Sequence, residues 1–142
     1  DGVTIDARNM GKIHAKVRTA PYPGFPTDLQ SQLLAFFCGT DAEGVVEERV
    51  FESRLLVVQE LRKMGAQICT EGCLAAVRGR RGLLHGAEVT ARDLRGGAAL
   101  VTAGLMARGE TYVSGCEFIK RGYEDICRDF ALLGAKIQEI GG

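Results

Sequence analysis

The feature that most constrains this chain is that it repeats itself. Thr27-Asp28-Leu29-Gln30 matches Arg92-Asp93-Leu94-Arg95, and Phe51-Glu52-Ser53-Arg54 matches Phe118-Ile119-Lys120-Arg121. Leu61-Arg62-Lys63-Met64-Gly65-Ala66-Gln67-Ile68 matches Phe130-Ala131-Leu132-Leu133-Gly134-Ala135-Lys136-Ile137. Three matches in one order at nearly constant offset predict two copies of one unit, residues 12–78 and 83–142.

Each copy reads as strand, helix, strand, helix, strand, strand, an α+β pattern. In the first, Ile13, Ala15 and Val17 alternate as on a half-buried strand. Leu29, Leu33, Phe36 and Phe37 are spaced as one face of a helix, and Thr27 with Gln30 predicts a capping box at its start. Residues 45–50 read as a short strand. Val57, Leu61 and Met64 mark a second helix, ended by Gly65 in a left-handed cap. Residues 66–70 and 74–77 then read as strands about a turn at Glu71-Gly72. In the second copy Ala87 and Val89 mark a strand, and Leu94, Ala98, Val101 and Leu105 a helix. Residues 111–114 mark another strand. Tyr123, Ile126, Phe130 and Leu133 mark a helix closed by Gly134, and residues 135–140 a last strand. The closing hairpin strand of this copy is missing, or is supplied elsewhere in the chain.

Composition narrows the function classes. Lys plus Arg is 18 and Asp plus Glu is 18, so the net charge is zero. That lacks the electrostatic footprint of non-specific nucleic-acid binding. No apolar run approaches the length of a membrane span. At 142 residues with 46% hydrophobic content, the chain has enough apolar side chains for a sizeable core. It starts Asp1-Gly2-Val3 without Met, which we read as an excised or processed piece. The five cysteines, Cys38, Cys69, Cys73, Cys116 and Cys127, sit mostly in apolar stretches, so reduced and buried thiols are expected. Neither their spacing nor His14 and His85 forms a metal pattern, and we expect no metal and no cofactor.

The densest signal is Pro21-Tyr22-Pro23-Gly24-Phe25-Pro26-Thr27-Asp28, which holds all three prolines of the chain. Proline and glycine stiffen a loop at low entropic cost, and this one delivers Asp28 to the start of a helix. Asp28 reads either as an electrostatic helix cap or as a positioned general base. The join between the copies, Arg78-Gly79-Arg80-Arg81-Gly82, reads as a solvated turn or as a phosphate clamp.

On the proline-rich segment 21–28, Val-Phe-Glu-Ser-Arg (50–54), Leu-Arg-Lys-Met-Gly-Ala (61–66), Ala-Arg-Asp-Leu-Arg (91–95) and Arg-Gly-Tyr-Glu (121–124), the chain resembles a known family. It is similar to the carboxyl-terminal third of the UDP-N-acetylglucosamine enolpyruvyl transferases (1-carboxyvinyltransferases). The related shikimate-pathway synthases share fold and reaction type but not the proline-rich loop. The resemblance implies an inside-out α/β barrel of tandem βαβαββ units, helices inside and sheets outside, with this chain a partial second lobe. It implies addition of the sugar 3-hydroxyl to carbon 2 of phosphoenolpyruvate, followed by loss of phosphate, in the first committed step of peptidoglycan synthesis.

Carried over by motif, Asp28 is the implied catalytic base and holds the sugar hydroxyl. Val50 and Phe51 lie beside the sugar nucleotide. Arg95 and Arg121 contact phosphoenolpyruvate, and Arg121 is also tied to lobe closure. Arg54 is a third arginine of that region, or a surface salt bridge. The implied partners are UDP-N-acetylglucosamine, phosphoenolpyruvate and the missing first lobe, in a bacterial cytoplasm, with no nucleic acid and no membrane.

Three motifs depart from the family. Asp93-Leu94-Arg95-Gly96-Gly97-Ala98 replaces Asp-Leu-Arg-Ala-Ser-Ala, and two glycines there are expected to loosen the helix that presents Arg95. Ser53 stands for Asn, and Phe118-Ile119-Lys120 for His-Ile-Asp. The family's loop cysteine, and the lysine and asparagine of the first lobe, have no counterpart. The chain alone is therefore expected not to turn over. The alternative is a non-catalytic binding or interaction module that retains the fold. Two units without a third should leave an apolar helical face exposed and favour self-association.

Overall fold

The Ile-His-Ala-Lys-Val-Arg alternation produces an edge strand, β1 (Ile13–Arg18), with Ile13, Ala15 and Val17 half-buried and the charged positions exposed. In the computed structural model, which describes residues 2–141, β1 runs through the proline-rich loop and a 3₁₀ turn (Thr27–Leu29) into α1 (Gln30–Gly39). The chain returns as β2 (Ala42–Glu47), parallel to β1 with Val17 opposite Val46. A second 3₁₀ turn (Arg54–Leu56) leads to α2 (Val57–Lys63), and a hairpin follows, β3 (Ile68–Glu71) and β4 (Leu74–Arg78). The sheet order is β1-β2-β4-β3, with β4 antiparallel to both neighbours.

The second half is leaner. β5 (Glu88–Thr90) crosses over through α3 (Leu94–Met106) to β6 (Tyr112–Ser114), again parallel, with Val89 opposite Val113. Two short helices follow, α4 (Cys116–Ile119) and α5 (Ile126–Leu132).

The core lies where α1 packs on β2 and β4 of the larger sheet and on α3, which also meets α2. Leu34, Phe37, Cys38, Val46, Val58, Leu61, Met64 and Leu100 fill it. Each such aliphatic or aromatic side chain contributes about 1.5–3 kcal/mol on burial. The approach of α1 to the sheet depends on Gly44, since a Cβ there would stand 2.5 Å from the Phe37 ring. Burial also pushes the Cys38 thiol up to about 12, which makes it an inert core residue.

α2 and α5 end in the same way. Ala66 N–H donates to the Leu61 carbonyl and Gly65 N–H to that of Arg62. Ala135 N–H donates to Phe130 and Gly134 N–H to Ala131. Both glycines are left-handed, with φ of +86° and +92°, as this C-cap requires.

The structure corrects several expectations. The strand read at 45–50 lies at 42–47: Glu48 N–H still donates to the Cys73 carbonyl at 2.8 Å, but its carboxylate takes the Val50 and Phe51 amides and the chain turns there. No capping box forms: Thr27 bonds Glu48 instead, Gln30 is buried, and α1 starts without a side-chain cap. The buried face of α1 is Leu34, Ala35, Phe37 and Cys38, while Leu29 is half and Phe36 over a third exposed. Residues 135–140 form no strand, for among the described residues no counterpart of β4 bridges them to β6. Cys69 and Cys73 are exposed rather than buried, the first on β3 and the second in the hairpin turn. The glycine pair does not interrupt α3. A Cβ at Gly97 would stand 2.6 Å from the Ile119 side chain, so the glycine permits close packing of α4. The basic join at 78–82 folds against acid: the Arg81 amide and guanidinium both meet Asp41.

Candidate active site

The proline-rich loop is closed at its base. Thr19 bridges to Phe25, Ala20 N–H donates to the Phe25 carbonyl at 3.0 Å, and Gly24 N–H to that of Pro21 at 2.8 Å. The chain leaves this loop in the 3₁₀ turn that carries Asp28. No helix amide takes the Asp28 carboxylate as a cap. Its partners come from far along the chain. Arg95, at the first turn of α3, grips it as a fork, Nε to Oδ1 at 2.7 Å and a terminal nitrogen to Oδ2 at 3.0 Å. Arg54 adds a bond to Oδ1 at 3.2 Å.

Arg54 is not the surface ion pair that its sequence context allowed, since its side chain is only 12% exposed. It lies over the Phe51 ring at 4.8 Å, and its other terminal nitrogen is buried with no partner among the described residues. Stacking and a carboxylate thus hold one edge of the guanidinium, while the remaining donor is unfilled. The Arg95 hydrogen bond, helped by charge from Arg54, lowers the Asp28 pKa from its ordinary value. The carboxylate is therefore ionised near neutrality and able to accept from a hydroxyl.

Asp93 holds α3 in place. Its Oδ1 accepts from the Arg95 amide at 3.0 Å and the Gly96 amide at 2.8 Å, a true N-cap. Beside it is a cleft of about 260 Å³ lined by Arg92, Asp93, Leu94, Arg95, Phe118 and Arg121. Three guanidiniums around one small cleft suit an anion with several oxygens, such as a phosphate or a carboxylate. Asp28, Phe51, Arg54 and Arg95 are thus in direct contact, and Arg121 shares the Arg95 cleft. Val50 stands exposed at the next position, with its amide donated to Glu48 at 2.8 Å.

Two residues of this region were not singled out from sequence. Arg92 is a third cation at the cleft, visible only as part of the Ala-Arg-Asp-Leu-Arg run. Glu48 is buried, and its Oε1 accepts from Thr19 Oγ1 at 2.8 Å, Val50 N–H at 2.8 Å and Phe51 N–H at 3.0 Å. Its Oε2 accepts from Thr27 Oγ1 at 2.9 Å. Burial pushes the Glu48 carboxyl up, but the Phe51 and Val50 amides and the two hydroxyls outweigh it, so its pKa falls. Its sequence signal was hidden inside the stretch read as strand.

The chain is similar to known proteins over most of its length. The EPSP synthase (3-phosphoshikimate 1-carboxyvinyltransferase) family model matches residues 2–130. The UDP-N-acetylglucosamine 1-carboxyvinyltransferase of Xylella fastidiosa (strain M23) is 43% identical over 140 residues, 99% of this chain and 33% of the relative. That of Desulfofundulus thermocisternus is 50% identical over 121 residues, 85% of this chain and 49% of the relative. The crystal structure of the enolpyruvyl transferase NikO from Streptomyces tendae superposes with a TM-score of 0.78 at 27% identity, over 87% of this chain and 28% of that one. EPSP synthase from Acinetobacter baumannii shares the fold at a TM-score of 0.51 and 24% identity, over 61% of this chain and 21% of that one. The chain spans about a third of the Xylella relative's length and about half of the Desulfofundulus relative's. With the α+β fold, the arginine cleft and these likenesses together, the chain belongs to the EPSP synthase (3-phosphoshikimate 1-carboxyvinyltransferase) family, the enolpyruvyl transferases.

Proposed function

We propose that this chain is the second-lobe portion of an enzyme that transfers enolpyruvyl from phosphoenolpyruvate to the 3-hydroxyl of UDP-N-acetylglucosamine, for peptidoglycan synthesis in a bacterial cytoplasm. The observation that carries this reading is the contact of Asp28 with Arg54 and Arg95 beside a cleft that also holds Arg92 and Arg121. In this reading Asp28 accepts the sugar hydroxyl proton as the oxygen adds to carbon 2. Arg95, Arg121 and Arg92 hold the phosphate and carboxylate. The buried free nitrogen of Arg54 takes one further oxygen. An anion that draws Arg95 away from Asp28 removes the main cause of its low pKa, so substrate binding itself makes Asp28 a stronger base. With its amide held by Glu48, Val50 meets the sugar nucleotide through its carbonyl. Phe51 lines the sugar. No step calls on a cofactor.

Residues 12–78 and 83–142 are on this reading two copies of one unit. The paired parallel crossovers and the matching helix ends support it. The first lobe is supplied by sequence outside this chain. Leu132 and Leu133 stand 80% and 83% and Leu29 51% exposed, so the isolated chain self-associates. Sedimentation showing a single monomer up to high concentration would remove that part.

The test of function is an NMR titration of the chain with UDP-N-acetylglucosamine, beside Asp28→Asn. Shifts centred on 22–28 and 50–54, weakened in the variant, support a half-site. Phosphate release is expected to be nil with the chain alone. Release that Asp28→Ala abolishes would show the first lobe to be dispensable. Absence of any shift at millimolar ligand favours the second reading, an interaction module that keeps the fold without the chemistry.

A further inference from the structure

We propose that Glu48 is a positioning residue, whose one carboxylate sets the separation between the loop that carries Asp28 and the segment that carries Val50 and Phe51. The geometry is specific. Thr19 and Thr27 stand at the two feet of the proline-rich loop, and Glu48 bonds both hydroxyls. The same carboxylate takes the consecutive amides of Val50 and Phe51. One buried group thus ties together three pieces of chain that meet at the candidate site. It does so without a cationic partner among the described residues, by four donated hydrogen bonds, which is what a buried carboxylate needs to remain charged.

A purely architectural role is disfavoured by the repeat. Aligned on Phe51 and Phe118, the position that matches Glu48 in the second copy is Gly115. That glycine is left-handed, with φ +76°, and stands at the start of α4. The shared scaffold therefore turns this corner without any carboxylate. The carboxylate is present only in the copy whose aspartate, Asp28, is turned away from its helix and towards two arginines.

This inference rests on the reading of Asp28 as the site's base, so the test must separate the two. On this 142-residue chain, Thr27→Val, Glu48→Ala and Glu48→Gln are compared by thermal melting, by carbon-13 titration of the Asp28 carboxyl and by UDP-N-acetylglucosamine titration. Thr27→Val cuts only the tether on the Asp28 side and is the variant that must fold. Its Asp28 titration is expected to move up towards the ordinary value of 3.8, because the grip on Arg95 loosens. Sugar-nucleotide affinity should fall about tenfold, with no further loss in an Asp28→Asn background. Glu48→Ala should add at least about tenfold faster hydrogen exchange at Val50 and Phe51. Glu48→Gln keeps an oxygen for the amides and offers an NH₂ to Thr27, so it should return near wild type. Folded Thr27→Val and Glu48→Ala proteins with Asp28 titration unmoved would overturn the proposal and leave Glu48 as a fold staple. If wild type ignores the sugar nucleotide while Asp28 titration shifts as described, the substrate reading falls and the positioning role stands.

Discussion

Asp28 and Asp93 occupy the same place in the two proposed copies and do opposite jobs. Asp93 turns inward on its own helix and accepts the amides of Arg95 and Gly96. Asp28 leaves its helix uncapped and reaches across to Arg54 and Arg95. The arginines differ in the same way: Arg54 is mostly buried, stacked on Phe51 and paired, whereas the matching Arg121 is exposed at the cleft. Duplication explains how this is tolerated. A cap is worth about 1 kcal/mol, which a well-packed copy forgoes without unfolding. The first copy supplies most of the buried core, while α5 of the second buries no residue fully.

The largest effect that could break this comparison is in the core. Leu61 and Phe130 are matched, but Leu61 is fully buried and Phe130 only half. Leu61→Ala should cost about 2–5 kcal/mol in denaturant unfolding, and Phe130→Ala less than half as much. Equal losses would mean that the second copy carries more of the fold than its burial indicates.

Next in size is the pair of aspartates themselves. Asp93→Ala should destabilise by about 1 kcal/mol through the lost cap. Asp28→Asn should change stability by less than about 0.5 kcal/mol, since the carboxylate is exposed and the amide oxygen that replaces it can still accept from Arg54 or Arg95. Matched thermal melts compare them, and a larger loss for Asp28 would reverse the assignment of roles.

Acid should act on the first copy. Glu48 and Glu60 lie there, both buried and both with pKa values below the ordinary 4.5. For Glu60 burial pushes upward, and the Lys63 ammonium and Thr90 amide outweigh it. A depressed folded-state pKa gives stability that is fully present above the unfolded value and is lost as pH falls through the folded one. Stability should therefore be flat above about pH 5 and decline below 4.5. Glu60→Gln should flatten that decline in melts taken from pH 6 to pH 3.

The smallest expected effect is the most local. Arg95→Ala should raise the Asp28 titration towards 3.8, since that side chain is the main cause of its depression. Arg121→Ala should leave it where it is, because Arg121 makes no bond to Asp28 among the described residues. Carbon-13 titration reads both, and a shift with Arg121 would place that guanidinium closer than the cleft geometry does.

What was legible in the sequence follows the range of the forces involved. The strand β1, the hairpin about Gly72, helices α2 and α3 and the two glycine-closed helix ends depend on residues a few positions apart, so pattern alone determined them. The family motifs likewise pointed to Asp28, Arg54, Arg95 and Arg121. Only tertiary structure decided which aspartate is a cap and which a site carboxylate, because both sit before a helix and the difference is made by Arg95, 67 positions away from Asp28. Burial of Arg54, the end of β2 at Glu47 and the role of Glu48 as a hub were decided by long-range bonds as well. Residues 135–140 carry the composition of a strand but form none, because a strand needs a partner to satisfy its amides and carbonyls, and no local pattern supplies one.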